Sequence, residues 1–272
     1  MLGTFLTIRA HESSTLTTEQ LTSATNSTFR ALERVERLMN FHRADSDIGR
    51  FNRARPGARL RVHRWTYTVL REALHLSQAS DGAFDCNVGT VLARAGLLPR
   101  SGKAVAQCRQ PMRKSISLTR DGRVRLMHRV SIDLGGIANG FAVDRAVRVL
   151  RDRGVRGGLV NAGGDLRVFG PDHQTVWVRC PNAPSEQRLI GHLRDGAVAT
   201  SGSYFTCEAS SDGMTASAIV DTACGQRLDL AGSVSVIAKT CMQADALTKI
   251  VAPRGRVPTE LRWRSQAKVI KL

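Results

Sequence analysis

The chain has no apolar run approaching the roughly 18 residues that a membrane-crossing helix needs, so a helical membrane protein is excluded. Its start, MLGTFLTIRA, has no basic stretch followed by an apolar core, so no secretory leader is expected. No two cysteines form a CxxC pair, and Cys86, Cys108, Cys180, Cys207, Cys224 and Cys241 are irregularly spaced. That spacing argues against a zinc ribbon or a redox dithiol. Reduced thiols in a cytoplasmic protein are expected instead, most of them small core residues. Lysine is scarce, being confined to Lys103, Lys114, Lys239, Lys249, Lys268 and Lys271. Helix-turn-helix, zinc-finger and RNA-recognition signatures are missing. So are the GxSxG elbow of serine hydrolases and the HExxH pair of zinc proteases. No close pair of carboxylates marks a glycosidase site.

What is present is a long, strongly basic chain. Its 272 residues carry 40 Lys and Arg against 23 Asp and Glu, a net charge of +17. Hydrophobic residues make up 42%, enough for a substantial core in one large domain or two small ones. The arginines are scattered. No aromatic residues alternate with the charges between Arg43 and Arg71 as a base-stacking platform would require. The excess therefore reads first as a solvated basic surface, with attraction to an anionic small molecule or an acidic partner as the alternative, and nucleic acid is not an expected partner.

Residues 2–9 read as an opening strand. Thr17 and Gln20 form a capping box before a helix over 18–40, with Leu21, Ala24, Phe29, Leu32 and Val35 at helical spacing. The stretch FHRADSDIGRFN reads as a polar loop. A second helix is expected over 64–79 and a short one over 88–96. Alternation around Asp121-Gly122 predicts a hairpin. A glycine-rich turn, IDLGGIANG, leads into a helix that stops at Gly154. GLVNAGGDLRVFG is a strand, a turn and a strand. TVWVRC, GAVAT, ASAIVD and SVSVIA are further strands, and CMQADALTKIV is a short helix. Hairpins outnumber βαβ units, which predicts one α+β unit with a mostly antiparallel sheet. Residues 253–272 read as a basic tail containing one strand-like piece, KVI.

Five segments can carry chemistry, and each has a plain structural alternative. The turn over 133–140 presents backbone N–H groups at a helix entry, where a phosphate is welcome, or is only a tight turn. Asn161-Ala162-Gly163-Gly164-Asp165 admits a ligand or merely closes a hairpin. Asp245 is a lone acid at a helix start. It is a cap, or one carboxylate of a Mg²⁺ site completed by a pyrophosphate. Asp85, in GAFDCNVG, is an N-cap or a ligand contact. Thr200-Ser201-Gly202-Ser203-Tyr204 is a small polar turn after a strand.

Taken together and in order, LGTF, DSDIGRFN, GAFDCNVG, IDLGGIANGFAVD, LVNAGGDLRVFG, AVATSGSY and ADALTK resemble the ApbE family, the FAD:protein FMN transferases. The resemblance spans roughly residues 2–252, which are expected to be the ApbE-like domain, here taken as 1–252. It implies a T-fold-like unit with helices flanking the sheet around a flavin cleft. It implies FAD as substrate, Mg²⁺ as cofactor, and an acceptor flavoprotein whose threonine hydroxyl receives FMN while AMP leaves. Some members hydrolyse FAD instead. Carried over by position, Leu2, Phe41, Ala83, Phe84 and Asp85 contact the flavin dinucleotide. Gly135, Gly136, Asn139 and Gly140 cradle its phosphates. Ala138, through its carbonyl, Asp245 and Thr248 hold the metal.

The departures are specific. Asn139 stands where the family has Lys, and Ala218 where it often has His before Ile-Asp-Pro. Lys249 stands four residues after Asp245, at the place of a metal-binding Thr. Asp221 is the nearest replacement acid–base in sequence, although strand alternation puts it opposite Ala218. These substitutions keep a second expectation alive, an FAD-binding protein with weak or no transfer.

Overall fold

The computed structural model describes residues 5–10, 16–99, 110–181, 183–202, 218–228, 230 and 232–272. Leu2, Cys108, Cys207, Ser203 and Tyr204 lie outside the described residues. The fold is α+β, as the hairpin count predicts. Among the described residues the main sheet has six strands. They are β1 (Leu6–Ala10), β5 (Gly158–Ala162), β6 (Asp165–Phe169), β9 (Ala197–Gly202), β12 (Ser233–Ala238) and β13 (Lys268–Lys271), adjacent in that order. Every neighbouring pair is antiparallel. Smaller ladders join β2 (Arg59–Arg61), β4 (Arg123–Leu126) and β3 (Ile116–Leu118). Two hairpins join β7 (Gln174–Cys180) to β8 (Ala183–Leu193) and β10 (Val220–Asp221) to β11 (Gln226–Arg227).

The helices are α1 (Thr18–Met39), α2 (Asp47–Arg53), α3 (Arg64–Ala79), α4 (Gly89–Arg94), α5 (Met112–Ser115), α6 (Ala138–Asp152) and α7 (Cys241–Arg254). The capping box of α1 is present: Gln20 N–H donates to Thr17 Oγ1 at 3.2 Å, and Thr17 N–H to Gln20 Oε1 at 2.8 Å. Ala24, Thr28, Ala31, Leu32, Val35 and Met39 form its buried face, which packs on α6. Phe29 belongs to the same periodicity but is 43% exposed. Helix α7 is buried on most of its surface because it lies between α6 and strands β9 and β12.

Two expectations need correction. The polar loop after α1 contains α2, which Ser46 starts by accepting the Gly49 N–H at 2.8 Å and which buries Ile48 and Phe51. Strand β8 is absent from the sequence reading, because Glu186, Gln187 and Arg188 give it no apolar face. In the basic stretch over 253–272 the expected strand-like piece, KVI, is β13, which closes the edge of the main sheet on β12, and Leu261 before it is buried.

A buried brace holds α6, α7 and β6 together. The Asp144 carboxylate of α6 accepts the Cys241 and Met242 N–H groups, each at 2.9 Å, at the start of α7. It also pairs with Arg167 of β6, and both side chains are largely buried. Removing one partner would strand the other charge in the interior. Asp144→Ala should therefore lower the stability measured by urea unfolding by about 3–5 kcal/mol. Asp144→Asn, which keeps an acceptor for the helix start, should lose less.

Candidate functional site

The floor of the site is a segment without secondary structure, residues 130–136, pinned by two asparagines. Asn52 accepts the Ile132 N–H at 2.7 Å and donates to the Ile132 carbonyl at 2.9 Å. Asn87 accepts the Ser131 N–H at 2.7 Å and donates to the Gln110 carbonyl at 2.8 Å. The Gly89 N–H donates to the Ser131 carbonyl at 2.8 Å, so close that a Cβ at Gly89 would meet Ser131 and Phe41. These side chains replace a missing strand partner and aim the glycine turn into the open.

Above this floor lies a cleft of about 400 Å³, within the roughly 300–1,000 Å³ usual for ligand sites. Ala83, Phe84 and Asp85 form one side. Asp133, Gly135, Gly136 and Asn139 form the turn beneath. Asp165, Thr200 and Ser201 come from the main sheet, and Asp245 and Lys249 from α7. Ala218, Val220 and Thr222 close the mouth, with Thr222 donating to the Gly82 carbonyl at 2.5 Å.

The charged centre is a connected hydrogen-bond network. Asp245 Oδ2 accepts the Gly140 N–H at 3.0 Å, and its Oδ1 accepts Lys249 Nζ at 2.7 Å. Lys249 Nζ also donates to Ser201 Oγ at 3.0 Å. Ser201 Oγ lies 2.8 Å from Thr248 Oγ1, which donates to the Asp245 carbonyl at 2.7 Å. Thr248 spends its one proton there, so Ser201 is the donor of the pair. Burial pulls the Lys249 ammonium down, but Asp245, and Asp165 after it, outweigh burial and hold it above the ordinary lysine value. Burial pushes the Asp165 carboxyl well above its ordinary value, and the Asp245 charge pushes the same way. Burial likewise raises Asp85 and Asp133.

The cleft brings together Ala83, Phe84, Asp85, Gly135, Gly136, Asn139 and Asp245, as expected from their order in the chain. Asp85 serves its own loops as well, accepting the Asn87 N–H at 2.7 Å and the Met112 N–H at 2.8 Å. Phe41, Ala138, Gly140, Thr248 and Asp221 do not line the cleft. Gly140 is where α6 and α7 cross: a Cβ there would sit 2.3 Å from the Cys241 carbonyl oxygen and 2.8 Å from Asp245 Cβ. Only a glycine allows the two helices to approach this closely. Asp221 accepts the Ala223 N–H at 2.9 Å and closes the turn between β10 and β11, while Val220 and Thr222 on either side face the cleft. Asp165, Asp133 and Ser201 join the site without being singled out by the sequence, although each sits inside a segment that is.

The family model described as the ApbE family matches residues 2–261. The chain belongs to the ApbE family. It is 32% identical over 232 residues to an FAD:protein FMN transferase of Vibrio cholerae, covering 80% of this chain and 69% of that one. The crystal structure of the ApbE protein from Thermotoga maritima superposes with a TM-score of 0.82 at 26% identity, covering 99% of this chain and 91% of the other. The flavin transferase ApbE from Vibrio cholerae superposes with a TM-score of 0.75 at 25% identity, covering 92% and 83%.

The magnesium ion expected of an ApbE chain at Ala138, Asp245 and Thr248 does not fit these residues as they stand. Ala138 is buried in the first turn of α6, and the Thr248 hydroxyl is committed to its own helix. Both Asp245 oxygens are taken, one by an ammonium. Among the described residues no three His, Cys, Asp or Glu side chains gather as a metal site.

Asp133 gives a pH test of the cleft. The hydrogen bond it accepts from the Gly135 N–H is long at 3.3 Å, and burial raises its pKa above the ordinary 3.8. A raised acid binds more protons folded than unfolded, so its contribution to stability falls as pH rises from about 4 through the folded value. An asparagine in its place would keep the acceptor and lose the charge. Urea unfolding of Asp133→Asn should therefore show a variant more stable than wild type at pH 7, with the gap shrinking toward a pH of about 4.

Proposed function

We propose that this chain moves FMN from FAD onto a threonine hydroxyl of an acceptor flavoprotein and releases AMP. The observation that carries the reading is the cleft itself, where the stem of Lys249 crosses the glycine turn at Gly136 and Ala83 and Phe84 line the same cavity as an apolar wall. The turn offers backbone to a pyrophosphate, and the wall offers contact area to a flat ring. The relatives named FAD:protein FMN transferase support the same assignment.

The hydroxyl oxygen forms a bond to the FMN phosphorus. The bond from that phosphorus to the bridging oxygen breaks, and AMP leaves with that oxygen and its electron pair. The hydroxyl proton passes to water at the open mouth. Such transfer depends on positioning and on neutralising phosphate charge, which a rigid turn and a fixed cation supply. A net charge of +17 draws the anionic dinucleotide toward the surface. No step is assigned to magnesium. We place the reaction in the cytoplasm, a reading supported by free thiols at Cys86, Cys180, Cys224 and Cys241. No helix among the described residues is long and apolar enough to cross a membrane.

One observation favours a second reading, FAD binding or FAD hydrolysis without transfer. Ala218 lines the mouth at the histidine position, and among the described residues no histidine lines the cleft. A positioned general base is worth about 10²–10⁴-fold, so its loss slows transfer without abolishing it. Incubation with FAD and a threonine-bearing acceptor should yield, by mass spectrometry, an acceptor carrying FMN and free AMP. Ala218→His should speed this by about 10²-fold or more. FMN and AMP without an adduct would establish hydrolysis, and intact bound FAD would establish a binding protein.

A further inference from the structure

Among the described residues Lys249 is the one basic side chain lining the cleft, although the chain carries 40 Lys and Arg. Four acidic side chains, Asp85, Asp133, Asp165 and Asp245, line the same cleft. An anionic dinucleotide entering such a cleft needs a cation between its phosphates and these acids. The ammonium already sits on the carboxylate that the family resemblance assigns to the metal, 2.7 Å from Asp245 Oδ1. Its stem runs across the phosphate turn, where a Cβ on Gly136 would lie 3.3 Å from Lys249 Cγ and 3.4 Å from Cε. An ammonium has three N–H donors. Asp245 and Ser201 receive two, which leaves the third for a ligand.

We propose that Lys249 is the built-in cation of this cleft: its ammonium stands where a divalent metal would, and it receives the dinucleotide pyrophosphate directly. Binding and transfer then need no added metal. The inference rests on the transferase reading above. Lys249 stays protonated throughout. It neutralises charge on the bridging oxygen as that oxygen leaves with AMP, and it donates no proton to it. The Asp245–Lys249 spacing of four residues on one helix fixes the ammonium against its carboxylate, so the cation is positioned before the substrate arrives.

Three proteins settle it: wild type, Lys249→Met and Lys249→Thr. FAD binding is titrated by fluorescence quenching in EDTA and in Mg²⁺, and metal binding is read by electron paramagnetic resonance of Mn²⁺ without flavin. Wild type should bind FAD equally tightly in both buffers and hold no Mn²⁺. Lys249→Met should weaken FAD on the order of ten- to a hundredfold, the loss of a charge-assisted contact, with no rescue by Mg²⁺. Lys249→Thr should bind Mn²⁺ and require Mg²⁺ for FAD. Wild type that holds Mn²⁺, or that binds FAD only with Mg²⁺, would overturn the inference and leave the transferase reading standing. Wild type that binds FAD in neither buffer would overturn both.

Discussion

The Asp245 carboxylate gives one oxygen to the Gly140 N–H and the other to the Lys249 ammonium, and the cleft is organised around that division. The first bond ties α7 to the opening turn of α6. The second fixes a positive charge over the glycine turn. The first requires the two helices to touch, which the absent Cβ of Gly140 allows. Buried carboxylates are costly unless every oxygen has a partner. Here the cost is offset by a closed chain of donors from Lys249 through Ser201 and Thr248 back to the Asp245 carbonyl.

That arrangement explains why the same sequence segment reads so differently in isolation and in the fold. A threonine and an aspartate three residues apart on a helix look like two oxygen ligands for one ion. In the fold Thr248 turns toward Ser201 and its own backbone, and the next residue, Lys249, reaches the cleft instead. Charge enters the site on the chain itself. The Asp144–Arg167 brace serves the same end from behind, since it sets the start of the helix that carries both Asp245 and Lys249.

Much of this is legible in the sequence. Helix 64–79 follows directly from its apolar spacing, and α1 from its capping box. The segments 83–85, 133–139 and 245 meet in one cleft as their family order implies. Other features escape for physical reasons. Helix α2 is too short to show a period, and its start is written in the single residue Ser46. Strand β8 is exposed and polar, so alternation never reports it. The role of Gly140 depends on a partner more than a hundred positions away, beyond any local pattern. The Asp245–Lys249 pair is visible as an i, i+4 spacing, but its meaning depends on both side chains being held against one turn.

The cleft carries its cation covalently, on Lys249. Crystals of the FAD complex grown with Mn²⁺ test it most directly through anomalous scattering at the manganese edge. No anomalous peak is expected on Asp245, and Lys249 Nζ should be hydrogen-bonded to both Asp245 and a pyrophosphate oxygen. A manganese peak on Asp245, with the Lys249 side chain turned out of the cleft, would contradict it.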